Sequence, residues 1–274
     1  MRQAFSSPGR SFTLAMNATT VIAFILVLLP LATIVWVSFF DNAIISFPPQ
    51  GYTLKWYETA WNIPRFRDGL FTSLELGVAA ALVSVVVGIP ASLVLARGRF
   101  MGRELLQSIL MAPLIVPGIV AGAALYMFLI EVEIRTEWPL SGSFTGLLIG
   151  HSLMALPWTV RLVTTSLVGV DRQLAEAAAT MGARPWTVFY RITWPIIRPG
   201  VMAGALFSFI ISFIDLEKSL FLVAPGKTTL PIEIINYLEW SVDPTIAAVA
   251  TAQIALISAA LILTNRFFKL TRAF

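Results

Sequence analysis

Six stretches of the chain are nearly uninterrupted runs of apolar residues, separated by shorter polar segments. A bilayer core of about 30 Å requires roughly 20 consecutive apolar residues from a helix. The pattern therefore predicts six transmembrane helices, named here spans 1 to 6: Ala18 to Phe40, Leu70 to Leu95, Leu105 to Leu129, Phe144 to Leu167, Val201 to Val223 and Ile246 to Leu263. Kinks are expected where proline removes a helix hydrogen bond, at Pro30, Pro90, Pro113, Pro117 and Pro157.

Composition agrees with this pattern. Of 274 residues, 57% are hydrophobic and 12% charged, whereas soluble domains carry about a quarter charged residues. We predict an all-α membrane protein with one transmembrane domain over residues 18–265, an N-terminal tail at 1–17 and a C-terminal tail at 266–274. Span 1 is too long for the core of a signal peptide and is expected to be retained. Because cysteine is absent, disulfides and thiolate metal sites are excluded.

The basic residues indicate an orientation, because Lys and Arg accumulate in cytoplasmic loops. Twelve fall in the two termini and in the loops after spans 2 and 4: Arg2, Arg10, Arg97, Arg99, Arg103, Arg172, Arg184, Arg191, Arg198, Arg266, Lys269 and Arg272. Five fall in the remaining loops: Lys55, Arg65, Arg67, Arg135 and Lys227. Both termini are therefore predicted to be cytoplasmic, and the basic excess does not indicate nucleic-acid binding.

The connection between spans 4 and 5, residues 170–199, is long but rich in helix formers. Asp171 can cap a first short helix over residues 173–181, and Gly182 suits the turn that follows it. Pro185 can begin a second short helix, and Pro199-Gly200 is expected to break the chain before span 5.

The second short helix would place Trp186, Phe189 and Tyr190 on one face, at i, i+3 and i+4. Such an aromatic face fits a hydrophobic groove on a partner protein. An amphipathic hairpin resting on lipid fits the physical pattern equally well. The residue types alone leave both interpretations open.

This loop resembles the EAA signature of importer permeases of the ATP-binding cassette (ABC) family. The signature is Glu-Ala-Ala, three residues, Gly, nine residues, Ile, one residue, Leu-Pro, and its spacing is kept by Glu176-Ala177-Ala178, Gly182, Ile192 and Pro195. One departure is Trp194, which stands where the signature has Leu.

The resemblance implies that the loop is a coupling element that docks in a cleft of an ATPase subunit. The residues assigned to coupling are Glu176, Ala177, Ala178, Gly182, Trp186, Phe189, Tyr190, Ile192 and Pro195. The resemblance also implies three kinds of partner. They are a second permease, expected to be a different chain, two cytoplasmic ATPases that bind ATP and Mg, and an extracytoplasmic solute-binding protein. The chain itself would be a non-catalytic subunit in the bacterial inner membrane.

Further motifs resemble the spermidine and putrescine permease branch of that family, and the likeness extends from about residue 18 onward. They are Thr72-Ser73-Leu74, Gly88-Ile89-Pro90, Ala96-Arg97, Ser208-Phe209-Ile210-Ile211-Ser212-Phe213, Leu230-Pro231 and Asp243-Pro244-Thr245-Ile246-Ala247-Ala248. These motifs are less specific than the loop signature, and related branches import other small solutes.

Three ionisable residues, Asp215, Glu217 and Lys218, interrupt span 5, where charge is costly. If this span is helical, Ser212, Asp215 and Lys218 share one face. Asp215 and Lys218 then form either an internal pair or a contact with cargo, and both remain open. On the second interpretation, the predicted substrate-pathway residues are Ser212, Asp215 and Lys218. Glu217 would point elsewhere.

The permeases of this branch usually read Ser-Phe-Asp-Asp where this chain reads Ser-Phe-Ile-Asp at residues 212–215. One acid is missing, and Lys218 adds a positive charge. A polycation needs several carboxylates, so this departure favours a zwitterion or an anion with an amine, such as an amino acid, opine or aminophosphonate. With the resemblance to the polyamine branch, the expected cargo is a small amine-bearing solute of the polyamine, amino acid, opine or aminophosphonate class.

The sequence gives little support to a nucleotide-binding, catalytic or metal site. Gly226-Lys227-Thr228 ends like a phosphate-binding loop, but Phe221 stands where that motif requires glycine. His151, the only histidine, has no partner visible in the sequence and is predicted to be structural, whereas Arg161 is expected to reach toward the membrane surface. No catalytic residue, cofactor site or metal site is predicted. The alternative is a secondary transporter driven by an ion gradient, which predicts inverted repeats that are not apparent.

Overall fold

The computed structural model describes residues 10–168, 172–223 and 226–268, and within them the fold is helical. The helices are α1 (Arg10–Val37), α2 (Lys55–Asn62), α3 (Pro64–Arg97), α4 (Arg103–Met111), α5 (Gly118–Thr136), α6 (Phe144–Val168), α7 (Arg172–Thr180), α8 (Pro185–Val188), α9 (Trp194–Phe213), α10 (Ser219–Leu222), α11 (Leu230–Leu238) and α12 (Pro244–Phe268). A 3-10 turn at Ala112–Leu114 follows α4, and a π-helical turn at Phe189–Thr193 joins α8 to α9. The described residues contain no β-strand, and Phe40 and Tyr52 form an isolated antiparallel bridge.

Among the described residues, five helical stretches are long and apolar enough to cross a membrane: Phe12–Val37, Pro64–Arg97, Phe144–Leu167, Pro185–Phe213 and Pro244–Arg266. A sixth span results if Arg103–Leu114 and Gly118–Thr136, which meet at a bend of 105°, are counted together. The all-α membrane fold is confirmed, and the predicted number of six depends on that bent pair. Helix α1 begins at Arg10 and ends at Val37, which is earlier at both ends than span 1.

Span 3 is not a continuous helix. The single span predicted from Leu105 to Leu129 is divided by a bend of 105° between Leu114 and Gly118, where kinks were expected at Pro113 and Pro117. Pro113 and Pro117 flank this bend. Each lacks the backbone N–H that would continue the hydrogen-bond ladder, so the chain leaves the helix here and starts again at Gly118.

Span 5 begins and ends differently from the prediction. Helix continues from Pro185 through Phe213, so the expected break at Pro199-Gly200 is wrong. Gly200 serves close packing instead, since a Cβ there would lie 2.8 Å from the carbonyl oxygen of Leu162 on α6. Helix α9 ends at Phe213, and the helical-face argument for the charged residues of span 5 is therefore also wrong.

The chain divides into two compact units. The first comprises Met1–Asn62 and Trp240–Ile254. In its described part, the Trp56 Nε1–H donates to the Phe40 carbonyl at 2.6 Å, and Lys55 pairs with Asp41 at 2.5 Å in an exposed position. Asp243 caps α12 by accepting from the backbone N–H of Thr245 at 2.8 Å.

The second unit comprises Ile63–Glu239 and Ala255–Phe274, and α3, α6 and α9 make the most extensive contacts within it. Small residues bring these helices close together, as expected for membrane helices. A Cβ at Gly88 would lie 2.7 Å from the Thr159 side chain, and one at Gly77 would lie 2.9 Å from Phe209. Ser92 Oγ also donates to the Val160 carbonyl at 3.1 Å, which bonds α3 to α6.

Two of the motifs that resemble the polyamine branch meet in this unit. Ser73 of α3 accepts a hydrogen bond through Oγ from the backbone N–H of Leu230, at 2.8 Å. This bond satisfies a donor at the start of α11, where Pro231 follows. The two motifs therefore form one contact between α3 and α11.

Candidate functional site

The first candidate region is the elbow segment, defined here as residues 172–195. Its first helix, α7, carries the predicted Glu176-Ala177-Ala178, of which Ala178 is buried and the other two residues are exposed. The predicted cap, Asp171, lies outside the described residues. Helix α7 thus presents Glu176 and Ala177 outward, with Ala178 on its inner side.

Gly182 makes the turn that the sequence predicted. Its φ is +82°, a left-handed conformation that favours glycine. Its N–H donates to the Ala179 carbonyl at 2.9 Å, and the N–H of Ala183 donates to the Ala178 carbonyl at 3.0 Å. These bonds satisfy the last carbonyls of α7 and turn the chain into α8, which begins at Pro185 as predicted.

The aromatic cluster forms as predicted, but its members face two directions. Trp186 and Tyr190 stack with ring centroids 6.0 Å apart and are 72% and 62% exposed. Phe189 is half-buried and packs with Trp194 against buried residues of α6 and α9, among them Val163 and Ile197. The elbow segment therefore has one side fixed to the helix bundle and an exposed aromatic pair on the other.

The end of the elbow segment is tied to α3. Thr193 is buried, and its Oγ accepts from the Arg97 guanidinium at 3.2 Å. Ile192 lies half-buried in the same π-helical turn, and Pro195 is exposed in the first turn of α9. Since these residues are continuous with α9, a displacement of the elbow segment would be transmitted directly to that helix.

The second candidate region is the break between α9 and α10, residues 214–218. Asp215 Oδ1 pairs with Lys218 Nζ at 2.5 Å, and the two side chains are only 8% and 5% exposed. Asp215 Oδ2 also accepts from the backbone N–H groups of Lys218 and Ser219, at 3.1 and 3.3 Å. The internal pair that the sequence allowed is therefore present, and contact of these residues with cargo stays a prediction.

His151 joins this break from α6. Its Nδ1 lies 2.9 Å from Ser212 Oγ, and its Nε2 lies 3.1 Å from Ser219 Oγ and 3.8 Å from Asp215 Oδ2. The buried polar set of His151, Ser212, Asp215, Lys218 and Ser219 is named here the break cluster. It holds the two ends of the break together, so His151 has the structural role predicted for it. Its partners are 61 and 68 residues away, which is why the sequence did not reveal them.

Glu217 differs from its charged neighbours because it is exposed. Its carboxylate lies over Gly118, the first residue of α5, where an added Cβ would collide with it. A Cβ at Gly122 would lie 3.0 Å from the Cα of Lys218. The break in span 5 therefore packs on the start of α5, next to the bend in span 3. Of the three ionisable residues in the break, Glu217 alone lacks an ion pair within the described residues.

Irregular backbone at membrane depth occurs where it is buried in protein or lines a water-filled cavity. Discontinuous helices of this kind form the substrate sites of many transporters. The combination of an exposed carboxylate with an internally neutralised pair beside it suits recognition of a positively charged group. The described residues contain no group of three or more His, Asp and Glu side chains arranged to hold a metal ion.

Comparison with a family model and with individual relatives indicates the same kind of protein, a membrane component of a transport system. A family model for the binding-protein-dependent transport system inner membrane component matches residues 88–271. The putrescine transport system permease protein PotI of Escherichia coli strain K12 is 28% identical over 246 residues, covering 89% of this chain and 85% of PotI. The spermidine/putrescine transport system permease protein PotC of the same strain is 29% identical over 220 residues, covering 80% and 81%.

The fold is also shared with solved structures. A crystal structure of a bacterial ABC transporter involved in import of the acidic polysaccharide alginate contains a chain that superposes with a TM-score of 0.73. The superposition covers 96% of this chain and 99% of that one, at 15% sequence identity. The likeness therefore concerns the arrangement of the helices.

Proposed function

Because this chain belongs to the family of binding-protein-dependent transport system inner membrane components, and is thus a permease subunit of an ABC importer in the bacterial inner membrane, we propose that its elbow segment couples cargo movement to separate ATPase subunits. The subunit would have no catalytic residue of its own, and ATP and Mg would be bound by the ATPases. Membership of this family gives no support to the alternative of an ion-gradient-driven transporter.

The proposed orientation places both termini and the elbow segment in the cytoplasm. The distribution of Lys and Arg supports it, since twelve of these residues lie in the two termini and in the two loops assigned to that side. The break between α9 and α10 then lies about 30 Å along α9 from Trp194, toward the outer surface. An external solute-binding protein would deliver cargo at that surface, and a second permease would complete the pathway.

The single observation that carries the coupling proposal is the exposed aromatic pair, Trp186 and Tyr190. Large exposed aromatic side chains on a well-anchored segment are typical of protein interfaces, where Trp and Tyr supply much of the binding energy. Phe189 and Trp194 anchor the same segment to the bundle. Docking on an ATPase would cover the aromatic pair and move α9 with the elbow segment.

A matched pair of glycine variants tests this proposal. Gly182 and Gly102 both have positive φ, +82° and +89°, and a Cβ at either would meet no atom within 4 Å. Substitution by valine strains the backbone similarly at both, by at least about 1–2 kcal/mol. Gly182→Val should abolish co-purification of the ATPase from membranes, whereas Gly102→Val should retain it.

Both valine variants must first reach the membrane at wild-type levels, measured by immunoblotting. Equal retention of the ATPase by the two variants would contradict a coupling role for the elbow segment. Equal loss of the ATPase from both variants would show that backbone strain in general prevents co-purification. That result would also contradict a coupling role for the elbow segment.

For cargo, we propose a small amine-bearing solute of the polyamine, amino acid, opine or aminophosphonate class. The two polyamine permease relatives support an amine, and the exposed carboxylate of Glu217 provides a group to receive it. The predicted pathway residues Ser212, Asp215 and Lys218 would then position the break, since their polar groups bond to one another and to His151. Glu217 would replace them as the contact with cargo.

A further inference from the structure

A cavity of about 410 Å³ lies between the end of α3, the α4 region and α6. Its apolar wall includes Met111 and Val160, and its polar wall is formed by Arg103, Gln107, Arg161, Thr164 and Thr165. None of the residues that line it is acidic. The cavity therefore combines two positive charges with an apolar surface.

Arg161 is the unexpected member of this wall. It lies in the membrane-spanning helix α6, about 10 Å from the end of that helix at Val168. Charged residues within such spans normally pair with one another or mark a functional site. The Arg161 guanidinium has no hydrogen bond or ion pair among the described residues. Its charge is therefore available to a ligand.

Two other groups in the wall have unused hydrogen-bonding capacity. Arg103 donates through Nε to the Leu95 carbonyl at 2.7 Å, which leaves its terminal nitrogens for another acceptor. Thr164 Oγ1 is buried and has no hydrogen-bond partner in the described structure. A hydroxyl is both a donor and an acceptor, so Thr164 can add a hydrogen bond to those of the two guanidinium groups.

We propose that this cavity binds the phosphate group of an anionic phospholipid. Guanidinium groups match phosphate in geometry and charge, and basic pockets between membrane helices on the cytoplasmic side bind anionic head groups. The apolar wall would take the upper part of the acyl chains. Leu114 and Ile115 also line the cavity, and Ile115 is 82% exposed, so the apolar wall is open to its surroundings and favours a lipid over a soluble anion.

This proposal concerns a site separate from the break cluster and does not depend on the identity of the cargo. Native mass spectrometry of the full chain, purified in detergent, tests it by titration with phosphatidylglycerol or phosphatidylcholine. We expect phosphatidylglycerol to be retained preferentially by the wild type. Arg161→Gln should weaken that retention by about fivefold, the contribution of one basic residue near an anionic membrane surface.

Arg99→Gln is the matched control, because Arg99 is an exposed basic residue of the loop after α3 that does not line the cavity. It should retain phosphatidylglycerol as the wild type does. Thr164→Val should give a smaller loss than Arg161→Gln. If Arg161→Gln aggregates, Arg103→Gln is tested in its place. Phosphatidylglycerol retention by Arg103→Gln should then be weaker than retention by the wild type.

Equal retention of the two lipids by the wild type would overturn the proposal. The same holds if Arg161→Gln and Arg99→Gln weaken binding equally, because the effect would then be that of net charge. A parallel titration with inorganic phosphate identifies the source of the phosphate group. If inorganic phosphate protects the chain from thermal unfolding in an Arg161-dependent way, and lipid does not, the ligand of the cavity is a soluble anion and not a lipid.

Discussion

The elbow segment and the break between α9 and α10 lie at opposite ends of one helix. The elbow segment exposes aromatic side chains, whereas the break buries charged ones. The elbow segment presents two large aromatic side chains, Trp186 and Tyr190, on its surface. The break buries an ion pair, Asp215 with Lys218, inside the helix bundle. Both arrangements are uncommon, because large aromatic side chains are normally buried and charged side chains are normally exposed.

This difference shows how the two regions are stabilised. The break cluster satisfies its own charges, since Asp215, Lys218 and His151 have partners within the chain. Within the described residues, the ring contacts of the aromatic pair are with each other and with Phe189 of the same segment. We therefore expect changes in the break cluster to affect the stability of the isolated chain, and changes in the aromatic pair to affect assembly.

The largest expected effect is on the buried pair. Lys218→Met leaves the Asp215 carboxylate without its charged partner, and removal of one member of a buried pair costs about 3–5 kcal/mol. Thermal unfolding of the purified chain should show a large decrease in melting temperature. The double variant Asp215→Asn with Lys218→Met removes both charges and should recover much of the loss.

The exposed pair of Lys55 and Asp41 is the control for this comparison, since the side chains are 48% and 54% exposed. Lys55→Met should cost no more than about 1 kcal/mol. If Lys218→Met were as mild as Lys55→Met, the break cluster would not be the stabilising unit described above.

A smaller effect is expected from the aromatic pair, and only on assembly. Trp186→Ala should weaken binding of the ATPase by about 2 kcal/mol, the range of an interface hot spot, measured by titration of the detergent-purified permease with ATPase. The melting temperature of the permease alone should change little, because surface substitutions usually alter stability by less than about 0.5 kcal/mol.

Trp240→Ala controls for the loss of an exposed tryptophan, since Trp240 is 87% exposed and lies outside the elbow segment. It should bind ATPase normally. A decrease in melting temperature with Trp186→Ala, at unchanged ATPase affinity, would make the aromatic pair a structural feature and remove the distinction between the two regions.

The smallest expected effect is at Glu217. Glu217→Gln removes an exposed charge without disturbing the Asp215 pair, so stability should be unchanged, and uptake of an amine-bearing cargo should fall about tenfold, or roughly 1.4 kcal/mol. Radiolabelled putrescine uptake into cells is the first measurement, followed by amino acids. Glu58→Gln, an exposed acid on α2, is the control, and equal uptake by both variants would exclude Glu217 from the cargo path.

Local signals in the sequence predicted the elbow segment well. Helix formers before Gly182 and proline after it are sufficient to place a helix, a left-handed turn and a second helix. The prediction failed at Pro199-Gly200, because a glycine that permits close helix packing has the same local signature as one that ends a helix. Only the contact with Leu162 on α6 distinguishes the two cases.

The break was predicted poorly for a related reason. Apolar residues resume after the three ionisable residues and continue to Val223, and hydropathy alone cannot show that the helix stops at Phe213. Asp215 and Lys218 were correctly identified as a possible pair because i, i+3 spacing allows it, although the backbone that joins them is not helical. His151 and Gly118 contribute from distant spans and left no local signal.

The sequence by itself determined the membrane class, the helical fold, the order of the spans and the turn at Gly182, because apolar length, composition and backbone preference act locally along the chain. The tertiary structure alone decided where span 5 is interrupted, which charges are neutralised within the chain, and that Glu217 is left exposed beside Gly118. These features depend on contacts between residues far apart in sequence, and in a membrane such contacts satisfy the polar groups that water cannot reach.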